Sequence, residues 1–383
     1  MTQERVPAAF IRGGTSKGVF FHGRDLPADL AARNAIFLAA IGSPDPYGRQ
    51  LDGLGGGLSS LSKVVVIEPS DRPGIDVDYT FGQVVVDAPE VDYGATCGNL
   101  SSAVGPFAVD EGLVDAADGE AVVRIYNTNT AKVLESRFAV RDGAAETQGN
   151  FIIPGVAGSA ARVRLDFLDP GGAGTGSLIP SGQINDVIEL ADGGSVEICC
   201  IDATTPCVFI AAFDLGLSAT ELPTDLEAMG GVLAKLEEIR ALAGVRMGLG
   251  DSAAEISNSS RASPKIAMVG PPANAPLLDG STMTSDQVDL SVRMISMGQP
   301  HRAVPLTGGM CLAVAANLAG SLVHRMARPG KDGDVRLGTP SGPIPIGAKV
   351  ESAGANSTVD YITTYRTARR LMEGNVLVPS GSE

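Results

Sequence analysis

Two side chains in this sequence have the type and setting for proton chemistry, Cys97 and Lys63. Cys97 lies in the run Gly94-Ala95-Thr96-Cys97-Gly98-Asn99-Leu100-Ser101-Ser102, which follows a strand-like segment at 83–87. The run opens an apolar helix, with Leu100, Val104, Phe107 and Ala108 on one face and Gly112 as its stop. Pro106 inside that helix predicts a kink. A thiol at this point faces the free amides of a helix mouth, a setting that favours the thiolate and also binds carboxylates. The competing reading is a small buried hydrophobe, the usual state of a free cysteine. Lys63 ends the glycine-rich run 52–63. That run has the composition of a dinucleotide loop, but it follows no strand and leads into one at 64–67, so it reads as a backbone cradle delivering Lys63 to a strand start. A solvated lysine at a sheet edge is the alternative.

Composition narrows the chemistry further. The 383 residues suffice for two ordinary domains with sizeable cores. Trp is absent and aromatics are only 4%, which argues against a stacking platform for sugars or single-stranded nucleic acid. A net charge of −15 argues against any nucleic-acid partner, and it requires an anionic substrate to be met by locally concentrated positive charge. Five cysteines at irregular spacing make no disulfide framework. His22, His301 and His324 have no paired ligand spacing, so no metal is expected. The N-terminus has no apolar signal core and no run of about 18 apolar residues exists, so a cytoplasmic protein with reduced thiols and no membrane contact is expected.

The elements that must position Lys63 and Cys97 are mostly strands. Residues 6–12 and 19–21 read as a hairpin around the polar tip Gly13-Gly14-Thr15-Ser16-Lys17-Gly18, and 29–41 as a helix capped by Asp29 and stopped by Gly42. Strands follow at 75–81, 83–87, 121–127, 131–140, 151–154 and 162–167; the alternation in 132–140 marks antiparallel strands buried on one face. The segment 168–176, rich in Gly and Pro, reads as a linker with the domain boundary there or shortly after. Beyond it come strands at 186–190, 195–201 and 206–213, a helix at 225–242 and a short helical piece at 245–249. A strand at 265–269 precedes a helix from the capping-box-like 284–287 to about Met297. Then come a strand at 301–306, a turn at Thr307-Gly308-Gly309, an apolar helix at 310–319, and strands at 334–337, 343–350 and 357–366. Each half thus feeds a buried helix from a turn of small residues, a weak internal repeat. A helix apolar on nearly all sides must be wrapped by sheet, and two such helix mouths facing each other would make a site for a dianion.

Taken together, several short stretches resemble the 2-methylaconitate isomerase (PrpF-like) family, related in fold to diaminopimelate epimerase. They are Arg12-Gly13-Gly14-Thr15-Ser16-Lys17-Gly18, Gly42-Ser43-Pro44-Asp45-Pro46-Tyr47, residues 59–63, Cys97-Gly98-Asn99-Leu100-Ser101, Pro264-Lys265-Ile266-Ala267, Ser296-Met297-Gly298 and Leu371-Met372-Glu373-Gly374. In order and spacing they span nearly the whole chain.

The resemblance implies an α+β fold of two similar domains, each a mostly antiparallel sheet rolled around a central helix, with the active site in the cleft between them. The expected domains are 1–178, with 366–383 returning to it, and 179–365. The implied activity is cofactor-independent isomerisation of a small unsaturated tricarboxylate, with cis–trans exchange of 2-methylaconitate first. An allylic shift in aconitate, methylitaconate or 4-oxalomesaconate is the alternative. The family's catalytic lysine and cysteine match Lys63 and Cys97. Removal of an allylic proton leaves a delocalised dienolate, which needs a base of suitable pKa and fixed donors where the charge appears. Lys63 serves as that base only if burial or a neighbouring cation, such as Arg12, Lys17 or Lys265, lowers its pKa. The amides at Gly98, Asn99, Gly308 and Gly309, the hydroxyls of Thr15, Ser16, Ser59, Ser62 and Thr307, and the cations Lys17 and Lys265 are the expected substrate contacts. Arg293, Arg302 and His301 are weaker candidates. Cys97 remains open between a second acid/base and an anion contact. An amino-acid epimerase would need a cysteine at the second helix head, where this chain has Thr307-Gly308-Gly309 and a deeper Cys311 that reads as core. A non-catalytic accessory of a dehydratase has no need of a base. The sequence leaves a homodimer open.

Overall fold

The computed structural model describes residues 3–94, 96–153, 155–259, 263–330 and 333–379. The fold is mixed α+β and divides into two units, residues 1–167 with 365–383, and residues 168–364.

The first unit contains β1 (Gln3–Gly13), β2 (Ser16–His22), α1 (Leu30–Ile41), β3 (Lys63–Pro69), β4 (Val77–Val84), β5 (Val91–Asp92), α2 (Ser101–Asp110), β6 (Gly119–Asn127), β7 (Lys132–Arg141), β8 (Ala144–Ala145) and β9 (Val163–Leu168). The second holds β10 (Asp186–Glu189), β11 (Ser195–Asp202), β12 (Pro206–Ala211), α3 (Pro223–Ala228), α4 (Gly230–Arg246), α5 (Ala253–Ser259), β13 (Lys265–Gly270), β14 (Ala275–Pro276), β15 (Thr282–Met283), β16 (Leu290–Ser296), β17 (Gln299–Pro300), α6 (Leu306–Asn317), α7 (Leu322–Met326), β18 (Asp334–Thr339), β19 (Gly342–Glu351) and β20 (Thr358–Arg366). A last strand, β21 (Ala368–Pro379), belongs to the first unit and pairs antiparallel with β1.

In the first unit the pairings run β21-β1-β2-β3-β4-β6-β7-β9, with β2–β3 and β4–β6 parallel and the other five antiparallel. In the second they run β10-β11-β12-β13-β16-β18-β19-β20, and again only the third and fifth pairings, β12–β13 and β16–β18, are parallel. The two units therefore repeat one plan, and the repeat read from the two helix mouths holds at the level of strand order. α2 and α6 occupy the same step of that plan. Each is buried almost throughout, from Ser101 to Val109 apart from Pro106, and from Gly308 to Ala316. Phe20, Val65, Tyr79, Phe81, Val123, Leu134 and Leu165 close around Val104 and Phe107 of α2 and Leu100 at its N-cap. Each such fully buried apolar side chain contributes roughly 1.5–3 kcal/mol.

Several expected elements differ, each for a local reason. Residues 83–84 continue β4, and a turn comes directly after them. The 151–154 strand is a single bridge, Phe151 to Ala160, and Pro154, like Ala95, lies outside the described residues. The expected helix at 225–242 is broken at Met229, where the weak helix formers Gly230 and Gly231 restart it as α4. The expected piece at 245–249 is the end of α4 and its turn, with Gly248 at φ 70. The expected helix to Met297 is the strand β16. Thr284 N–H does donate to Gln287 Oε1 (2.9 Å), but the pair closes a turn, and a run buried on both faces has no period that separates strand from helix. Residues 301–305 are irregular, and Thr307-Gly308-Gly309 form the first turn of α6 rather than precede it. Pro106 is accommodated within α2. The glycine-rich 170–176 segment lies inside the second unit, where Gly174 N–H, Thr175 N–H and Thr175 Oγ1 all donate to Asp202 Oδ2. Among the described residues no helix is long and apolar enough to cross a membrane.

Candidate active site

Lys63 is the first residue of β3 and is only 8% exposed. The glycine-rich loop delivers it there, and Gln50 holds that loop. Gln50 Oε1 accepts from Gly57 N–H (2.8 Å) and Ser62 Oγ (2.7 Å), and its amide donates to Ser43 Oγ (2.8 Å). Across the β3–β4 ladder Gln83 stands opposite Lys63. Lys63 Nζ donates to Gln83 Oε1 (2.5 Å), and Gln83 Nε2 donates back to the carbonyls of Ser59 (3.1 Å) and Ser62 (2.9 Å). The ammonium also lies 4.9 Å from the Phe81 ring centroid. Burial pushes the Lys63 pKa below the ordinary lysine value, with the Cys97 charge opposing that shift. The same desolvation fits the lysine for the role of a base, because more of it is neutral at a given pH.

Cys97 is 9% exposed and opens the turn that becomes α2. Its Sγ accepts from Leu100 N–H (3.5 Å), and its carbonyl accepts from Ser101 N–H and Ser101 Oγ, both at 2.9 Å. The β1–β2 tip packs directly on this helix mouth. A Cβ on Gly13 would lie 2.6 Å from the Asn99 carbonyl oxygen and 3.0 Å from Leu100 Cα, and Gly14, at φ +53, faces the Asn99 side chain. Only glycine permits that approach at both positions. Asn99 Nδ2 donates to Thr15 Oγ1 (3.1 Å), while Asn99 Oδ1 accepts from Arg366 Nε (3.1 Å).

The first unit thus brings Lys63, Cys97, Gly98, Asn99, Thr15 and Ser59 to one end of α2 and its flanking strands. Ser16 is buried in the hairpin, and the Ser62 hydroxyl is committed to the loop frame. Lys17 points elsewhere. Its ammonium sits 5.4 Å from the Phe10 ring centroid, and Phe10 packs on the α1 side of the sheet. Arg12 donates to the carbonyls of Gly14 and Thr367 and to Thr367 Oγ1.

In the second unit Lys265 is likewise the first residue of its strand, β13. Its stem passes Gly308, which is buried in the first turn of α6 against Met294. Thr307 is exposed, and its carbonyl accepts from Thr204 Oγ1 (3.0 Å). Gly309 is buried behind it. Cys311 is fully buried, and burial raises its pKa. Burial also lowers the His301 pKa, and the Lys265 charge reinforces this; Ala303 N–H donates to His301 Nδ1 (3.0 Å). Arg293 is neither helical nor exposed. It is 1% exposed in β16 and donates to the carbonyls of Glu221, Val292 and Gly338. Among the described residues no group of three His, Cys, Asp or Glu is placed to hold a metal ion.

Three residues of this site carry no local signal in the sequence. Gln50 and Gln83 hold the lysine and its loop. The β3–β4 register identifies Gln83, and splitting β4 conceals it. Arg366 reads from the sequence as the end of a second-half strand. Its guanidinium is largely buried, which lowers its pKa to about 10 against the opposing charge of Cys97, and it remains a cation at neutral pH.

The pattern of the family described as PrpF protein matches residues 3–379. A relative from Shewanella oneidensis named 2-methyl-aconitate isomerase is 42% identical over 389 residues, covering 98% of each chain. One from Eubacterium barkeri named 3-methylitaconate isomerase is 40% identical over 378 residues, also 98% of each. A crystal structure of a methylitaconate-delta-isomerase superposes with a TM-score of 0.92 at 40% identity, over 99% of this chain and 96% of that one.

Proposed function

Because the chain belongs to the PrpF family, we propose that it is a cofactor-independent isomerase of a small unsaturated tricarboxylate, with cis–trans exchange of 2-methylaconitate as its reaction. The observation that carries this reading is Lys63, a buried lysine with a lowered pKa held by one amide oxygen beside a cysteine at a helix mouth. Neutral Lys63 removes the allylic proton. The dienolate that results carries charge onto a carboxylate, where the helix-mouth amides at Gly98 and Asn99 and the Arg366 guanidinium can meet it. The former double bond turns while the charge is delocalised. Cys97 returns a proton or holds a carboxylate. In the second unit Lys265 and the amide at Gly308 are the groups able to hold a carboxylate, whereas the expected Gly309 N–H is taken by the Pro305 carbonyl (2.9 Å).

The likeness to methylitaconate isomerases supports a second reading, an allylic double-bond shift in which Lys63 carries one proton across a single face. Purified protein incubated separately with 2-methylaconitate, trans-aconitate, methylitaconate and 4-oxalomesaconate, followed by the absorbance of the conjugated acid, separates the two. Interconversion of the 2-methylaconitate isomers is expected. Turnover of methylitaconate alone selects the second reading, and no turnover on the panel rejects both.

A further inference from the structure

Among the described residues, Gln83 Oε1 is the one hydrogen-bond acceptor that Lys63 Nζ meets (2.5 Å). The amide that carries it has no freedom to turn round. Its Nε2 donates to the carbonyls of Ser59 (3.1 Å), Ser62 (2.9 Å) and Val84 (3.3 Å). Reversal would set Oε1 against three acceptors and Nε2 against an ammonium, which has only donors. Ser62 is fixed in turn, its hydroxyl donating to Gln50 Oε1 (2.7 Å). Backbone and loop therefore aim one neutral oxygen at the lysine.

A neutral amine has two hydrogens and one lone pair. Oε1 takes the first hydrogen. The Phe81 ring face, 4.9 Å from Nζ to its centroid, attracts the second. The lone pair is left the third tetrahedral direction, away from both.

We propose that Gln83 is a positioning residue for Lys63, its fixed amide oxygen arresting rotation of the amine so that, with the Phe81 ring, it aims the lone pair that takes the substrate proton. From the isomerase reading this takes only that Lys63 is the base. The bond to Oε1 is donated by NH2 and NH3+ alike, so proton transfer needs no movement of the amide. A neutral acceptor also leaves in place the low pKa that burial gives Lys63, which a carboxylate at that distance would reverse. The titratable groups on this face are Cys97, whose charge opposes the fall, and Asp92, next across the ladder from Gln83 but exposed and accepting from Gly94 N–H (2.7 Å). In the second unit Met294 stands where Phe81 does, and Ser296, two residues on at the end of β16, stands where Gln83 does. That position carries no carboxamide.

The test compares wild type with Gln83→Met, which keeps the length of the side chain and loses the acceptor. The Lys63 titration is read without substrate from the 13Cε signal of 13C-lysine-labelled protein, assigned by its absence in Lys63→Ala. Values of kcat and KM are measured across pH on whichever acid of the panel wild type turns over. Without Oε1 the ammonium loses a charge-assisted bond, so the titration and the acid limb of kcat should both move down by about one pH unit. More of the lysine is then neutral at pH 7, yet the plateau of kcat should be about 10–100-fold lower with KM nearly unchanged, because the lone pair is no longer aimed. A merely structural role would lower the plateau and leave the titration in place. A folded Gln83→Met protein with wild-type kcat, or with an unmoved Lys63 titration, overturns the proposal. If that variant does not fold, Gln83→Glu sets a charged oxygen against Nζ and should move the titration up by about one to three pH units; an unmoved one overturns the proposal equally. A wild type inactive on the whole panel rejects the isomerase reading, and the titration, which uses no substrate, still decides whether Gln83 holds the lysine.

Discussion

The two units share strand order, pairing sense, a lysine at the start of the corresponding strand and a buried helix at the corresponding step, but only the first has a buried lysine there and a cysteine at the helix mouth. In the first, Lys63 is held by Gln83 over Phe81, and Cys97 stands at the helix mouth with Arg366 close enough for their charges to interact. In the second, Met294 fills the position equivalent to Phe81 and lies against Gly308, while the cysteine has moved into the helix and is sealed, its Sγ 3.3 Å from the Ile201 carbonyl. Both copies carry a lysine at the corresponding strand start and a cysteine at or in the corresponding helix, and they differ in what stands around those groups.

The comparison breaks most visibly at the lysines. Lys63→Ala should lower kcat by about 10²–10⁴-fold, the usual contribution of a general base, and Arg in its place should fail as well because guanidinium stays protonated. Lys265→Ala should act mainly on KM, as loss of a binding contact does. Steady-state kinetics on both variants decides it, and equal losses in kcat would erase the asymmetry.

The cysteines come next. Cys97→Ser should lower kcat by about 100-fold if the thiol returns a proton, whereas a loss confined to KM would make it an anion contact. Cys311→Ala should leave kcat intact and cost about 1–2 kcal/mol in urea denaturation.

At the helix mouths, Gly13→Ala should cost about 1–3 kcal/mol and lower kcat, because the added methyl meets backbone at Asn99 and Leu100. Gly308→Ala meets the flexible end of Met294 and gains about 1 kcal/mol of helix propensity, so its net effect should be smaller. Thermal melts of the two variants rank them.

The smallest expected effect is on stability against pH. The native state lowers the Lys63 pKa from 10.5, so the unfolded chain binds that proton more tightly. Stability contributed at this site therefore rises with pH between the lowered native value and 10.5, and is least at neutral pH. Lys63→Met should gain most over wild type near pH 7, and the gap should narrow as pH rises. Urea midpoints from pH 7 to 10 check the slope.

Much of this asymmetry is legible in the sequence. Lys63 at a strand start after a glycine cradle, Cys97 at a helix mouth and Cys311 as core all come from local pattern, because each depends on neighbours close in the chain. The capped helix at 30–41 is legible for the same reason, with Asp29 accepting from Ala32 N–H and Gly42 at φ 82. The hidden part depends on distant pairing. Gln83 meets Lys63 only through strand register, Arg366 meets Asn99 only because the chain returns to the first unit, and β16 is buried on both faces and so has no period to read. The strand order itself is hidden too, since parallel pairs such as β2–β3 join segments separated by a helix and a long loop.

The most direct test of the central claim is solvent hydrogen exchange into the allylic positions of 2-methylaconitate, followed by proton NMR in D2O with wild type, Lys63→Ala and Lys265→Ala at saturating substrate. Exchange should be rapid in wild type, at least about 100-fold slower in Lys63→Ala, and close to wild type in Lys265→Ala. Exchange persisting in Lys63→Ala at the wild-type rate would contradict the assignment of the base and of the first unit as the seat of the chemistry.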